Sequence, residues 1–211
     1  MAQAPATPKA KRALLRLAAS ASPDLAARLG PAPSEVAALA ARARPLRAPP
    51  DPEIVFLVPL VGRHHVSDWD AVSARLAATV ESFRRQTSPA WRALICGQDR
   101  PDGLPEDPRV AFLPFEDAGT GNDKWRKLAA LARALPEAGV ARGYAMPFDA
   151  DDLLDPGIVA EMVGRKERGG YLVTSGYLRD AGAGLLAQAR PRSLAAPGQK
   201  AFWKLCGSCA A

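Results

Sequence analysis

The sequence predicts an α/β fold, an open and mostly parallel sheet flanked by helices, with a helical extension ahead of it. Three observations carry this. Residues 54–60, Ile-Val-Phe-Leu-Val-Pro-Leu, form a continuous apolar run rich in β-branched residues, as expected of a strand covered on both faces. Segments of helical periodicity alternate with such runs down the chain. Four prolines, Pro45, Pro49, Pro50 and Pro52, break any helix before the first run and mark a linker, so the folded unit is expected to begin near Glu53.

In order, residues 9–21 place Leu14, Leu15 and Leu17 among basic residues, residues 24–30 make a short helix ending at Gly30, and residues 33–43 repeat the helical manner. After the first strand, Ser67 is expected to cap a helix over 68–85 whose Val72, Leu76, Val80 and Phe83 face the sheet. Residues 91–96 are the second strand, 97–108 a Pro/Gly-rich loop and 109–115 the third strand. Asn122 is expected to cap a helix to about Leu135, with Trp125, Leu128 and Leu131/Ala132 inward. Residues 144–148 form the fourth strand and 156–168 the next helix, ended by Gly169-Gly170. A fifth strand over 171–178 follows, and the turn Ala181-Gly182-Ala183-Gly184 leads into a return strand over 185–189. Trp69, Trp91 and Trp125 read as core.

Composition narrows the function classes. At 211 residues the chain is long enough for one domain with an appendage: 1–52 as a basic helical extension with a Pro-rich linker, 53–211 as the α/β domain. No apolar stretch approaches the roughly 18 to 20 residues that span a bilayer, and residues 1–8 do not have the pattern of an export signal. The expected location is cytoplasmic. Residues 1–50 hold eight Lys/Arg against two Asp/Glu, which accounts for the whole net charge of +6. This arm reads first as a solvated helical appendage and second as a peripheral contact for an anionic membrane surface. It contains no aromatic residue on which bases would stack, so nucleic acid is not an expected partner. Cys96, Cys206 and Cys209 are too few for a disulfide scaffold, and Cys206-Gly-Ser-Cys209 lacks the second pair or histidines of a zinc site.

Chemistry concentrates after the fourth strand, in Asp149-Ala150-Asp151-Asp152. Three carboxylates in four residues repel one another unless a cation or hydrogen-bond donors compensate, which points to a divalent ion with hard oxygen ligands, Mg²⁺ or Mn²⁺. Asp155 is assigned to the start of the next helix, with Pro156 as its first residue. Three strand ends are expected to meet at one crevice: residues 60–63, 97–99 and the acidic loop. A nucleotide bound there would use Asp99 for its base or ribose and a metal on Asp149 and Asp151 for its phosphates. Lys124 and Lys127, on a helix whose N-terminus faces the same crevice, are candidates to assist a phosphate, and their competing reading is a solvated helix face.

These residues resemble the family 2 glycosyltransferases, which have the GT-A fold. The resemblance is carried by the first strand to Pro59, by Glu81-Ser82-Phe83-Arg84-Arg85-Gln86-Thr87, by Asp99, by Gly121-Asn122-Asp123-Lys124, and above all by residues 148–156. It covers about residues 54–160 and implies a metal-dependent transfer of sugar from a nucleotide-diphosphate sugar to an acceptor that the sequence does not identify. It implies Asp149 near the ribose, Asp151 as metal ligand, Asp152 as a metal or acceptor contact, and a donor held by Pro59, Val61, Asp99, Lys124 and Asp149. Two departures accompany it. Leu60-Val61-Gly62-Arg63 follows Pro59 where the family commonly has two residues and an asparagine, and the general base of inverting members is expected in an acidic motif beyond Ala211. Residues 202–209 look like the Gly/Ser stretch before that motif, which makes an incomplete catalytic domain the expectation.

Two other readings stand beside it. A haloacid dehalogenase-type phosphatase would use Asp149 as nucleophile and Asp151 as acid/base, but needs a later acidic pair that the sequence lacks. A non-catalytic nucleotide-sugar-binding remnant or interaction module would need only the crevice and the basic arm. His64 and His65 read as structural loop residues, and Trp203 as a residue able to stack on a sugar.

Overall fold

The computed structural model describes residues 7–33, 35–38, 47–116, 121–139, 143–180, 182–190, 202 and 208. Its contacts divide the chain into two compact units, Met1–Arg47 and Ala48–Ala211. The first unit contains α1 (Lys9–Ala21) and α2 (Pro23–Ala27), where Leu15, Ala18 and Ala26 are buried. Ser22 ends α1 in extended backbone and caps α2, accepting the Asp24 N–H through its hydroxyl. Residues 33 and 35–38 are helical, while residues 34 and 39–43 of the expected third helix, and Pro45, lie outside the described residues.

The second unit is an α/β layer structure built on four strands, β1 (Glu53–Pro59), β2 (Trp91–Gly97), β3 (Val110–Pro114) and β4 (Gly143–Pro147). They pair in the order β3-β2-β1-β4, and all three pairings are parallel. Residues 98–109 cross from β2 to β3 without a helix. β1 is central and alternates its apolar side chains between two cores. Ile54, Phe56 and Val58 meet Val72, Leu76, Val80 and Phe83 of α3 (Trp69–Arg84) on one face. Val55 and Leu57 meet Leu128 and Leu131 of α4 (Lys124–Ala134) on the other. A fifth helix, α5 (Ile158–Arg165), adds Val159 and Met162 to the α3 side. Phe56 stacks on Phe83 at 4.1 Å, and Phe148 closes the group edge-on. At the foot of β4, Gly143 has φ +142°, and a side chain there would strike the Glu53 backbone, its partner in register.

Several expectations require correction. Asp68, not Ser67, caps α3, its carboxylate accepting the Ala71 N–H at 2.8 Å. Asp123 takes the N-cap position of α4 without a side-chain cap, while Asn122 Oδ1 accepts from the Lys124 N–H just ahead of the helix. Trp125 is 68% exposed. The inward stripe of α4 runs through Lys124, Lys127, Leu128 and Leu131 at three- and four-residue steps, which places Trp125 on its flank. Ala132 is exposed as well. α5 is shorter than expected and ends at Lys166, whose φ of 51° turns the chain left-handed before Gly169 is reached. Asp155 belongs to the turn ahead of α5, where its carboxylate accepts the Gly157 N–H.

The last strands depart furthest. In place of one strand over 171–178 in the parallel sheet, β5 (Gly176–Asp180) pairs antiparallel with β6 (Leu185–Ala189) in a separate two-stranded sheet. The turn explains the register: Asp180 Oδ1 accepts the N–H groups of Gly182 and Ala183, and Gly184 takes φ +66°. Among the described residues, no helix is long and apolar enough to cross a membrane.

Candidate functional site

A crevice of about 590 Å³ opens at the carboxyl ends of β1 and β4. This is where the strand order reverses, since the chain runs outward from β1 to β3 and then returns to β1's other side with β4. A sheet whose helices leave in opposite directions from neighbouring strands creates an opening there, and ligands of open α/β folds bind in it.

The walls come from four segments. Pro59, Leu60 and Val61 extend β1, His65 and Val66 follow, and α3 contributes Val72 and Arg75. Residues 121–124 with Lys127 form the α4 side, and Asp149, Ala150 and Asp151 the β4 side. The structure thus brings together Pro59, Val61, Lys124, Asp149 and Asp151 of the residues expected from sequence. Asp99 and Asp152 are not among the lining residues. Asp99 accepts the Arg63 N–H at 2.9 Å and so fixes the loop after β1. The Asp152 carbonyl accepts from the Thr79 hydroxyl, which ties the loop backbone to α3.

Charge in the crevice is closely balanced. The Lys124 ammonium donates to Asp149 Oδ1 at 2.5 Å, with both side chains partly exposed. Lys127 is only 1% exposed, contrary to a solvated face, and donates to the Leu60 carbonyl at 2.6 Å and to Asp123 Oδ2 at 2.8 Å. Gln98 Nε2 donates to the same Asp123 oxygen at 2.7 Å. Burial would raise the Asp123 carboxyl, but the hydrogen bonds from Lys127 and Gln98 outweigh it and hold the carboxyl below its usual value. Beneath this group, burial pushes the Cys96 thiol up to about 11, so it is an inert core residue. Cys206, Cys209 and Trp203 lie outside the described residues.

The acidic loop is fastened from behind by the C-terminal half of α3. Thr79 Oγ1 donates to the Asp152 carbonyl, Ser82 Oγ accepts the Leu154 N–H, and Gln86 donates to the Asp155 carbonyl while accepting the Val159 N–H. The Thr87 N–H reaches the Pro156 carbonyl. Ser208 holds the loop from another side, its hydroxyl accepting the Asp149 N–H at 2.6 Å. These contacts explain why Ser82, Gln86 and Thr87 belong to one constellation with the aspartates: they set the loop's backbone.

Three participants escape a reading of the sequence alone. Arg75 is one helical turn beyond Val72 on the half of α3 nearest the end of β1, a placement legible from the helix register. Asp123 and Gln98 gain their importance only through Lys127, which no local pattern marks as buried. His64 and His65 lie on a short 3₁₀ turn with ring centroids 4.0 Å apart and planes tilted by 44°, both exposed, and His65 alone of the pair lines the crevice.

Among the described residues no group of three or more His, Cys, Asp or Glu converges as a metal cage. Two carboxylates, Asp149 and Asp151, line one crevice from a single loop. That set fits Mg²⁺ or Mn²⁺ shared with a ligand, because such ions take one or two carboxylates and complete their shell with water and substrate phosphate oxygens. Compared with known proteins, the sequence matches no family model and no curated protein.

Proposed function

We propose that the chain is a metal-dependent glycosyltransferase domain that takes a nucleotide-diphosphate sugar as donor. The observation that carries this reading is the meeting of Asp149 and Asp151 with Lys124 in one crevice at the switch point of a parallel sheet. Asp151, which is exposed, and Asp149 would hold Mn²⁺ or Mg²⁺. The ion, when bound, offsets the negative charge that develops on a departing nucleoside diphosphate.

The chain's own residues prepare the rest. Lys124 is held beside Asp149 and supplies a mobile cation at the mouth for a phosphate oxygen. Lys127 is fixed by Leu60 and Asp123 and ties the start of α4 to the end of β1 under the crevice. Pro59, Leu60 and Val61 offer an apolar wall of the kind a base or sugar face packs against. The α3 clamp keeps the carboxylates from drifting apart, which matters because ligand geometry errors near an ångström cost activity steeply.

Titration of UDP-hexoses and GDP-mannose, with and without Mn²⁺, tests the reading. Mn²⁺ is expected to tighten binding of at least one donor by about tenfold or more, and Asp151→Asn to abolish that gain. Absence of metal-dependent binding to every donor would refute it.

A further inference from the structure

The N-terminal unit carries a surface that the crevice does not use. α1 has two apolar sides. One buries Leu15 and Ala18 within the unit, and the Lys11 ammonium on that side donates to the Gly30 carbonyl at 2.6 Å. The other is the row Ala10, Leu14, Leu17 and Ala21, spaced by four, three and four residues so that all four project together. Its side chains face open solvent: Leu14 is 52% and Leu17 72% exposed.

Basic residues occupy the polar side of the same helix. Lys9 and Arg16 lie about 80–100° round from Leu17, Arg12 lies nearly opposite the stripe, and all three are exposed. No acidic residue occurs before Asp24, and none lies in the first turn of α1. A helix of 13 residues is about 20 Å long, too short to cross a bilayer but long enough to lie in its interface. Leucines on one face, with basic side chains and no acid on the polar side, suit a surface that is apolar just below a layer of negative charge. A nucleic-acid backbone offers the charge without the apolar layer, and residues 1–50 hold no aromatic side chain to stack on bases.

We propose that α1 docks the chain on an anionic phospholipid bilayer, with Leu14 and Leu17 entering the headgroup–acyl boundary and Lys9 and Arg16 reaching lipid phosphates from the helix flank. This inference is independent of what the crevice binds.

Co-sedimentation of the full chain with vesicles of phosphatidylcholine, alone or mixed with phosphatidylglycerol, tests it. Retention on the mixed vesicles is expected to exceed that on phosphatidylcholine by about tenfold or more and to weaken with salt. A Leu14→Asp/Leu17→Asp variant and a Lys9→Glu/Arg16→Glu variant are each expected to lose about tenfold. Leu14→Ala/Leu17→Ala, which keeps helix propensity, is expected to lose part of the binding and so separates insertion from misfolding. Equal retention on both vesicle types would overturn the proposal, as would retention unchanged by the leucine substitutions. A fall in the chain's melting temperature in the Leu→Ala variant would overturn it too, because the stripe would then be covered by protein. Tighter binding to duplex DNA than to mixed vesicles, insensitive to the leucines, would assign the arm to nucleic acid instead.

Discussion

Lys127 shows how far a single residue's surroundings depart from its chemistry in isolation. An ammonium removed from water is tolerated only when paired and hydrogen-bonded, and here a carboxylate and a backbone carbonyl do both. Removing it leaves Asp123 buried without its cation, so Lys127→Met is expected to lower stability by about 3 kcal/mol in urea denaturation. Lys124→Met, which breaks a partly exposed pair, is expected to cost about 1 kcal/mol or less; equal losses would contradict this assignment. Asp107 gives a pH test. The side-chain hydrogen bonds from Arg109 hold its carboxyl down at about 2, against 3.8 ordinarily. A depressed folded-state value stabilises above the unfolded value and loses that contribution as pH falls from near 3.8 through about 2. Asp107→Asn is therefore expected to cost about 1 kcal/mol at neutral pH, allowing for screening of the one-third-exposed Arg109. The difference from the parent chain should vanish below about pH 2. The aspartates of residues 149–151 were legible because repelling carboxylates in a strand-end loop demand compensation. Lys127 was not, because its burial depends on Leu60, 67 residues away.

At the scale of elements, the most consequential is the end of α3. Thr79 and Ser82 of α3, with Gln86 and Thr87 just beyond its end, hold the backbone of the acidic loop and the turn into α5. Gln86 is 9% exposed and bonds Ser82, Asp155 and Val159 at once. Gln86→Leu leaves those buried backbone groups unsatisfied, with an expected cost of about 2 kcal/mol and weaker metal-dependent donor binding; intact stability would show the clamp to be dispensable. The opposite end of α3 separates two neighbouring caps. Asp68→Ala is expected to cost about 1 kcal/mol and Ser67→Ala almost nothing, measured by thermal denaturation. Sequence identified this helix and its inward face because Val72, Leu76, Val80 and Phe83 repeat at helical spacing. It misplaced the cap because Ser67 and Asp68 carry the same kind of acceptor one residue apart. The Trp125 error is similar in kind: an aromatic residue draws the eye inward, while the stripe that packs on the sheet is set by Leu128 and Leu131.

For the whole molecule, the parallel sheet was legible because strands buried on both faces read as unbroken apolar runs, as residues 54–60 do. The β5–β6 hairpin was legible in part: the Gly-rich turn announced the return strand over 185–189, but the apolar run over 171–178 resembles another core strand, and only the exposure of Tyr177, Leu185 and Leu186 sets the pair apart from the parallel sheet. Both hydrophobic clusters of the sheet are drawn from residues 54–163 with the nearby Tyr171 and Val173, within the second compact unit. A chain lacking residues 1–47 is accordingly expected to keep one cooperative unfolding transition and its donor binding; a molten product would contradict this division. The central claim remains that Asp149 and Asp151 grip a cation only when a nucleoside diphosphate shares it. Electron paramagnetic resonance of Mn²⁺ reads this directly. The free-ion signal is expected to fall when the chain and UDP or GDP are both present, and to persist in Asp149→Asn/Asp151→Asn; a signal unchanged by the parent chain with either nucleotide would contradict the account.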